Sequence, residues 1–215
     1  MKPPLPPPPL RLWLVRHGVT DWNLEGRWQG WTDTALSDTG RAQAKRLEPR
    51  LSGRAFDAVF SSDLQRASDT ALLAGLTPVR DPRLREVNFG AFEGGLSADN
   101  RQHPEFETWL AAPGTLRTPG GESYGDLQRR ALEWLSEQPE SGEIIAFAHG
   151  GTIQTLVTGL LEIPAMVAPR IWRLQVKHAS ITVLERHWTP SGAVWTLERL
   201  NDTAHLEGLV AVTPE

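Results

Sequence analysis

Two histidines stand at matching places in the sequence, each at the end of an apolar segment and each followed by glycine. His17 follows one such segment, and His149 follows another in the second half of the chain. Glycine lets the backbone approach a ligand closely and leaves N–H groups that can bind an anion. In open α/β sheets, ligands gather where strand ends meet helix N-termini. The two histidines are therefore predicted to share one pocket.

Two arginines extend this pattern. Arg16 directly precedes His17, and Arg66 is predicted to lie in the first turn of a helix that follows another strand. A guanidinium group offers paired donors to phosphate or carboxylate. Two arginines, two histidines and helix N-termini would form a cationic concavity within an acidic protein. Such a concavity is suited to a small dianion such as phosphate.

The segments that would position these residues alternate between strand and helix patterns. Strands are predicted at residues 10–15, 56–61 and 143–148, with helices at 37–51, between Asp63 and Gly75, at 124–138 and after His149 as far as 161. Residues 171–200 alternate well enough for two or three strands. Strand–helix–strand order implies parallel pairing with right-handed crossovers. We predict a three-layer α/β sandwich with a mostly parallel central sheet, helices on both faces and an antiparallel edge.

Two segments fall outside this regular pattern. Six of the 17 prolines lie in residues 1–9, which are predicted to form a disordered arm because proline denies a helix. Residues 86–122 lack a sustained period and predict a loop-rich insertion with one short helix, lying over the active site. Residues 10–215 are predicted to form one domain, since a chain of 215 residues is near the size of a single domain.

Composition excludes several classes of function. The net charge of −4 argues against broad nucleic-acid binding, which usually needs a basic face. No apolar run approaches the roughly 18 residues that a membrane helix needs. The chain has no cysteine, so it has no disulfide, thiolate metal site or cysteine nucleophile. Without a cleavable signal peptide the default expectation is a cytoplasmic protein, and the sequence leaves a homodimer open.

The motifs as a set resemble the histidine phosphatase superfamily, the phosphoglycerate-mutase-like proteins, over about residues 10–206. The matching residues are Leu14-Val15-Arg16-His17-Gly18-Val19-Thr20, Asn23, Ser61-Ser62-Asp63-Leu64-Gln65-Arg66-Ala67, Leu84-Arg85-Glu86, Phe89-Gly90, Glu93-Gly94 and His149-Gly150-Gly151. Leu200-Asn201-Asp202-Thr203-Ala204-His205-Leu206 is similar to the tail of the cofactor-independent phosphatase branch. One departure is His178-Ala179-Ser180, where relatives often carry Asn-x-Ser.

The resemblance implies a role for each residue of the site. His17 would be the nucleophile that becomes a phosphohistidine, and Glu86 would be the general acid and then the base. The phosphoryl oxygens would be held by Arg16, Asn23, Arg66, His149 and Gly150. Each role fits phosphoryl transfer, in which the protein mainly positions groups and stabilises charge. No metal and no cofactor is implied, and the expected partner is a small phosphate ester.

Other residues near these motifs are given less specific roles. Glu93 and Glu122 are alternative acids, but Glu86 is preferred because its Leu-Arg-Glu context matches the acid position of the family. A structural or surface role is expected for His103, His178, His187 and His205. We hypothesise that four tryptophans line an apolar vestibule, as against merely anchoring long loops. They are Trp22, Trp28, Trp31 and Trp109.

The favoured function is a phosphomonoesterase, and three alternatives stay open. A phosphoglycerate mutase would use the same residues, although residues 97–117 hold only Arg101 and Arg117 as cations. An α-ribazole phosphatase is a more specific form of the same hydrolase. A catalytically inactive binding module is disfavoured because His17, Glu86 and His149 are all present.

Overall fold

Six strands form one sheet in the computed structural model, which describes residues 8–163, 174–190 and 192–209. The strands are β1 (Leu10–Arg16), β2 (Ala58–Ser61), β3 (Val79–Arg80), β4 (Gly142–Ala148), β5 (Ile181–Thr189) and β6 (Gly192–Asp202). Their order across the sheet is β3-β2-β4-β1-β5-β6. The first four strands in this order pair in parallel, whereas β5 pairs antiparallel with both β1 and β6. This confirms the mostly parallel sheet with an antiparallel edge.

Helices cover both faces of this sheet. They are α1 (Asp21–Leu24), α2 (Asp38–Lys45), α3 (Glu48–Leu51), α4 (Gln65–Leu73), α5 (Ser97–Asn100), α6 (Phe106–Ala111), α7 (Tyr124–Ser136) and α8 (Gly150–Leu160). Side chains alternate along a strand, so Leu12 and Leu14 of β1 join the apolar cluster under α7 and α8. Trp13 and Val15 join the opposite cluster, under α3 and α4. The predicted three-layer sandwich is therefore confirmed.

The predicted helix at residues 37–51 is two helices. Ser37 caps α2 as predicted, because its Oγ accepts the Gly40 N–H over 3.1 Å. The chain then turns after Lys45. Proline at position 49 has no N–H to donate to the Lys45 carbonyl oxygen, so a continuous helix is blocked and α3 begins anew with Pro49 in its first turn.

The prediction that Asp63 caps α4 is wrong. The Asp63 carboxylate instead accepts two hydrogen bonds from Arg85, over 2.7 and 2.5 Å. The start of α4 is satisfied from another loop, where Asp33 Oδ1 accepts the Gln65 N–H over 2.7 Å. At the other end Gly75 has a φ of +80°, so it closes the helix as predicted.

The remaining segments differ from the prediction in detail. Residues 86–122 contain a 3₁₀ turn (Gly90–Phe92), α5 and α6, and α6 lies where one short helix was expected. The two-residue strand β3 was not predicted, because a periodic pattern needs a longer segment. Residues 1–7 of the proline arm and residues 171–173 lie outside the described residues. The described part of the C-terminal prediction forms two strands, β5 and β6.

Two glycines allow α2 to pack against the loop that follows β1. A Cβ on Gly18 would lie 2.5 Å from the Gly40 carbonyl oxygen, and a Cβ on Gly40 would lie 2.0 Å from the Val19 carbonyl oxygen. Real Cβ atoms essentially never come closer than 3.0 Å to such neighbours. The backbone beside His17 is therefore held directly against α2.

We expect Gly40→Ala to lower the free energy of unfolding by about 1–3 kcal/mol, because the new methyl group overpacks the contact with Val19. Alanine is otherwise the better helix former, so the sign of the change is diagnostic. Urea denaturation measures it, with the exposed Lys45→Ala in the same helix as the control. An unchanged or increased stability of Gly40→Ala would contradict the close backbone packing.

Candidate active site

The pairing of β1 with β4 brings the two predicted histidines together. Arg16 and Ala148 are partners at the ends of these parallel strands, and the His17 N–H donates to the Ala148 carbonyl oxygen over 3.0 Å. The ring centroids of His17 and His149 lie 5.1 Å apart, and both side chains are buried. Two residues distant in sequence thus share the carboxyl edge of the sheet.

The ring of His17 is held in one tautomer. Its Nδ1 lies 2.6 Å from the Gly18 carbonyl oxygen, which can only accept a hydrogen bond. Nδ1 therefore carries the proton, and Nε2 carries the lone pair. Burial, then the charge of Arg66 and the neighbouring His149, hold the pKa of His17 well below its ordinary value of 6.5. The ring is neutral at neutral pH, as a nucleophilic imidazole must be.

The imidazole of His149 is fully buried. Neither of its ring nitrogens has a hydrogen-bond partner among the described residues. Burial, then the charges of Arg66 and Arg130, hold the pKa of His149 well below 6.5. An unsatisfied buried polar group is costly. A phosphoryl oxygen beside His17 would supply an acceptor for the N–H of this ring.

Two guanidinium groups, those of the buried Arg66 and the half-buried Arg16, line the same cavity and donate to neutral carbonyl groups. Arg66 of α4 donates to the carbonyl oxygens of Gly30 and Thr32, over 2.7 and 2.9 Å. Arg16 donates to the Val176 carbonyl oxygen over 2.6 Å. Burial lowers the pKa of both arginines to about 10, which leaves both charged at neutral pH. Their charge is available to a bound anion.

Glu86 lies on the wall of the same cavity. Its Oε2 accepts the Gly151 N–H at the start of α8 over 3.0 Å, and its Oε1 accepts the Val87 N–H over 2.9 Å. Its charge acts on both Arg16 and Arg66, raising the pKa of each against the larger effect of burial. A carboxyl group thus lines the same cavity as the two cations and His17, the predicted nucleophile.

Asn23 and Gly150 complete the predicted set. The Oδ1 of Asn23 accepts from the N–H and the hydroxyl group of Thr20, over 3.1 and 3.0 Å. The amide nitrogen of Asn23 is therefore the end left to donate into the cavity that this residue lines. At Gly150 a Cβ would lie 3.4 Å from the guanidinium carbon of Arg16. Glycine there leaves the first turn of α8 open beside the arginine.

The cavity above these residues has a volume of about 240 Å³. It is lined by Arg16, His17, Asn23, Arg27, Trp28, Gln29, Gly30, Arg66, Glu86, Phe89 and Tyr124. Sequence reasoning did not single out Arg27, Gln29, Gly30, Phe89 or Tyr124 as cavity residues. Arg27 and Gln29 could have been predicted, because they flank Trp28 in the loop after His17. Tyr124 could not, because its sequence context indicates only the start of a helix.

The four tryptophans of the vestibule hypothesis lie in different places. Trp28 lines the cavity. Trp22 lies close to Gly94, whereas Trp109 is buried in an apolar cluster under the insertion. Trp31 donates its Nε1–H to the Glu86 carbonyl oxygen over 2.8 Å. The preference for an apolar substrate body stays a prediction, carried in this structure by Trp28.

The two alternative acids are engaged elsewhere. Glu93 accepts from the Trp31 and Thr32 N–H groups, each over 2.8 Å, and from the Phe89 N–H over 3.0 Å. These bonds tie the loop after His17 to the insertion. Glu122 is paired with Arg130 at 2.9 Å. Neither carboxylate lines the cavity, in contrast to Glu86.

One of the four remaining histidines lies next to His17. The ring centroid of His178 is 5.5 Å from that of His17, and its Nε2 is buried without a hydrogen-bond partner among the described residues. The other three contact residues that do not line the cavity. His103 packs on Phe92, His187 lies 3.3 Å from Glu185, and the Nε2 of His205 lies 2.9 Å from a backbone carbonyl oxygen.

Comparison with known proteins gives a consistent result. Residues 12–203 match the model of the histidine phosphatase superfamily, branch 1. A Yersinia pestis protein named as a probable phosphoglycerate mutase, GpmB, is 36% identical over 209 residues, which covers 92% of this chain and 95% of that protein.

Among the residues described, no cluster of His, Asp or Glu could hold a metal ion, and no helix is long and apolar enough to cross a membrane.

Solved structures are similar over most of the chain. A mycobacterial glucosyl-3-phosphoglycerate phosphatase is 33% identical, with a TM-score of 0.77 and coverage of 90% of this chain and 99% of that one. An Escherichia coli K-12 protein provisionally described as an alpha-ribazole-5'-P phosphatase is 30% identical, with a TM-score of 0.79 and coverage of 90% and 97%.

The buried imidazoles predict a loss of stability in mild acid. In the unfolded chain His17, His149 and His178 take up protons near pH 6.5, but their folded-state pKa values are lowered. The unfolded state therefore binds more protons below pH 6.5. As the pH is lowered, the free energy of unfolding decreases, by up to about 4 kcal/mol per pH unit for three groups. His205, whose pKa is also lowered, acts in the same direction.

Urea denaturation between pH 5 and pH 8 measures this slope. His178→Asn should reduce the slope by about one proton's contribution, whereas His187→Asn, which removes an exposed imidazole, is the matched control and should leave it unchanged. A stability that stays constant from pH 8 down to pH 5 would contradict neutral buried rings.

Proposed function

Because this chain belongs to the histidine phosphatase superfamily, we propose that it hydrolyses small phosphate monoesters through a phosphohistidine on His17. The observation that carries the proposal is the state of that ring. Its Nδ1 proton is bound by the Gly18 carbonyl oxygen, and its lone pair is on Nε2. The ring lines the same cavity as the cations Arg16 and Arg66, which suit a phosphoryl dianion.

In the first step Nε2 of His17 attacks phosphorus, and the bond between phosphorus and the ester oxygen breaks. The developing alkoxide takes the proton of the Glu86 carboxyl group, and the alcohol leaves. The equatorial phosphoryl oxygens are held by Arg16, Arg66 and the amide nitrogen of Asn23, while His149 donates its ring N–H. The products of this step are the free alcohol, phosphohistidine and the Glu86 carboxylate.

In the second step a water molecule attacks the phosphohistidine. The Glu86 carboxylate accepts a proton from this water, the bond between Nε2 and phosphorus breaks, and inorganic phosphate is released. His17 returns to the neutral ring and Glu86 to the protonated acid, so the cycle closes. Two displacements replace one difficult hydrolysis.

The cavity walls suit a small ester with an organic body. Trp28, Phe89 and Tyr124 give apolar surface above the phosphate position, and Arg27 adds a cation at the same wall. A volume of about 240 Å³ admits a small molecule rather than a folded macromolecule. We propose broad specificity within this class. The narrower activity named for the Escherichia coli relative belongs to the same reaction type.

Mutase chemistry is the second candidate, because the Yersinia relative is named for it. A mutase must retain a doubly anionic acid while the phosphoryl group is on histidine. In residues 97–117 the cations are Arg101 and Arg117, and Arg117 is already paired with Asp126 at 2.8 Å. This segment is poorly equipped to retain an anionic intermediate, so hydrolysis is favoured.

We expect His17→Ala to abolish turnover, and Glu86→Gln to slow hydrolysis of alkyl phosphates by about 10²–10⁴-fold, the usual contribution of a general acid. Esters with good leaving groups should lose much less, because their leaving oxygen needs no proton. Phosphate release measures both, with His187→Ala as the surface control. An equal loss for both classes of ester would remove Glu86 from the acid role.

A radiolabelled ester distinguishes hydrolase from mutase. With labelled 3-phosphoglycerate and a labelled aryl phosphate, rapid quenching in alkali should trap label on the wild-type protein and none on His17→Ala. Label should then leave as inorganic phosphate. Transfer of the label to 2-phosphoglycerate would identify a mutase, and absence of any protein-bound label would overturn the phosphohistidine mechanism.

A further inference from the structure

The segment that carries Glu86 has no regular secondary structure. Residues 86–89 belong to neither a helix nor a strand, so no ladder of backbone hydrogen bonds fixes them. A proton-transfer group nevertheless needs a position accurate to a fraction of an ångström. The contacts of its main chain show what holds it.

Arg130 of α7 uses every N–H of its guanidinium group on this region. Nη1 donates to the carbonyl oxygens of Arg83 and Arg85, each over 2.8 Å, and Nη2 donates to the Glu86 carbonyl oxygen over 2.7 Å. Nε and Nη2 also donate to the carboxylate of Glu122, over 3.0 and 2.9 Å. The guanidinium group has five N–H donors, and all five are accounted for.

The Glu86 carbonyl oxygen has a second donor in Trp31. The indole Nε1–H lies 2.8 Å from that oxygen. The same ring lies against two guanidinium groups, 4.7 Å from Arg85 and 5.8 Å from Arg130, which favours cation–π attraction. The Glu86 carbonyl oxygen therefore accepts two hydrogen bonds from side chains that lie in other parts of the fold.

We propose that Arg130, together with Trp31, is a positioning residue for proton transfer. It holds the main chain of Glu86 so that the carboxyl group stays beside His17 in both steps. The inference rests on the proposed function, in which Glu86 is the acid and then the base. At the far end of the side chain, the Gly151 N–H holds Oε2. Glu86 is thus fixed between α7 and α8.

The contacts also explain why an arginine is needed. Lysine would keep the charge, but its single ammonium group cannot span three carbonyl oxygens and a carboxylate in one plane. Glu122 has a clear part in this arrangement. It accepts from both Arg130 and the Asn88 N–H, the latter over 3.0 Å, so it orients the guanidinium group and the residues that follow Glu86.

The test compares two esters in each variant. We expect Arg130→Lys to reduce kcat/KM by about 10–100-fold for phenyl phosphate, but by less than about threefold for p-nitrophenyl phosphate, whose leaving group needs no acid. Arg129→Lys is the matched control, since Arg129 is the neighbouring residue of α7 with an exposed side chain paired to Asp126. It should keep the wild-type ratio between the esters. This ratio does not depend on the fraction of folded protein.

A double-mutant cycle gives a second measure. Once Glu86→Gln has removed the acid, adding Arg130→Lys should change the ratio little, because both substitutions act on one step. If Arg130→Lys yields no soluble protein, Trp31→Phe removes one donor to the same carbonyl oxygen while it keeps an aromatic ring. Its ratio should move in the same direction.

The outcomes separate the inference from the function. If Glu86→Gln changes the ratio and Arg130→Lys (or, in its place, Trp31→Phe) lowers both esters equally, the positioning role is overturned and the proposed function stands. If Glu86→Gln itself leaves the ratio unchanged, or the wild-type protein hydrolyses neither ester, the function fails and the inference with it.

Discussion

The structure depends on two cations, the buried Arg66 and the half-buried Arg16, whose charge no hydrogen-bonded carboxylate of the described residues neutralises. Backbone carbonyl groups accept from Nη1 of Arg16 and from Nη1 and Nη2 of Arg66, and they leave the positive charge in place. The Nε–H of each arginine is buried and has no hydrogen-bond partner among the described residues. Desolvated like charges repel and are costly to bury. The arrangement favours a bound dianion. Burial, and after it the charges around the ring, hold the pKa of His17 well below its ordinary value and keep the imidazole neutral. The charges that suit an anion therefore act together with burial in keeping His17 neutral.

Keeping these charges together requires a rigid surround, and the fold supplies it by contacts between distant segments. The parallel pairing of β1 with β4 aligns the two histidines at one sheet edge. The loop after His17 is held by α2 through the Gly18–Gly40 contact and by the insertion through Glu93. From the sequence, Glu93 was an alternative candidate for the general acid. In the structure its carboxylate accepts backbone N–H groups from both segments and so joins the loop to the insertion.

The sequence predicts the parts of this site that have a local signature. Apolar segments that end in His-Gly predict the strand ends at His17 and His149, and the helix pattern places Arg66. What could not be predicted depends on partners remote in sequence. Asp63 reads as a helix cap but is taken by Arg85. Trp31 reads as an apolar wall, although its N–H is bound by Glu86. Strand β3 has only two residues, too few for a periodic pattern to appear in the sequence.

Arg130 is the clearest case of a role without a local signature, and the reason is chemical. A hydrogen bond to a carboxyl oxygen changes when the group gains or loses its proton, as an acid that becomes a base must do in each cycle. A hydrogen bond to a main-chain carbonyl oxygen does not change. In the proposed mechanism, the hydrogen bonds from Arg130 and Trp31 to the Glu86 carbonyl oxygen would hold the residue in one place in both protonation states. In the sequence Arg130 is only a polar residue on an amphipathic helix, because its acceptors are carbonyl oxygens that every residue has.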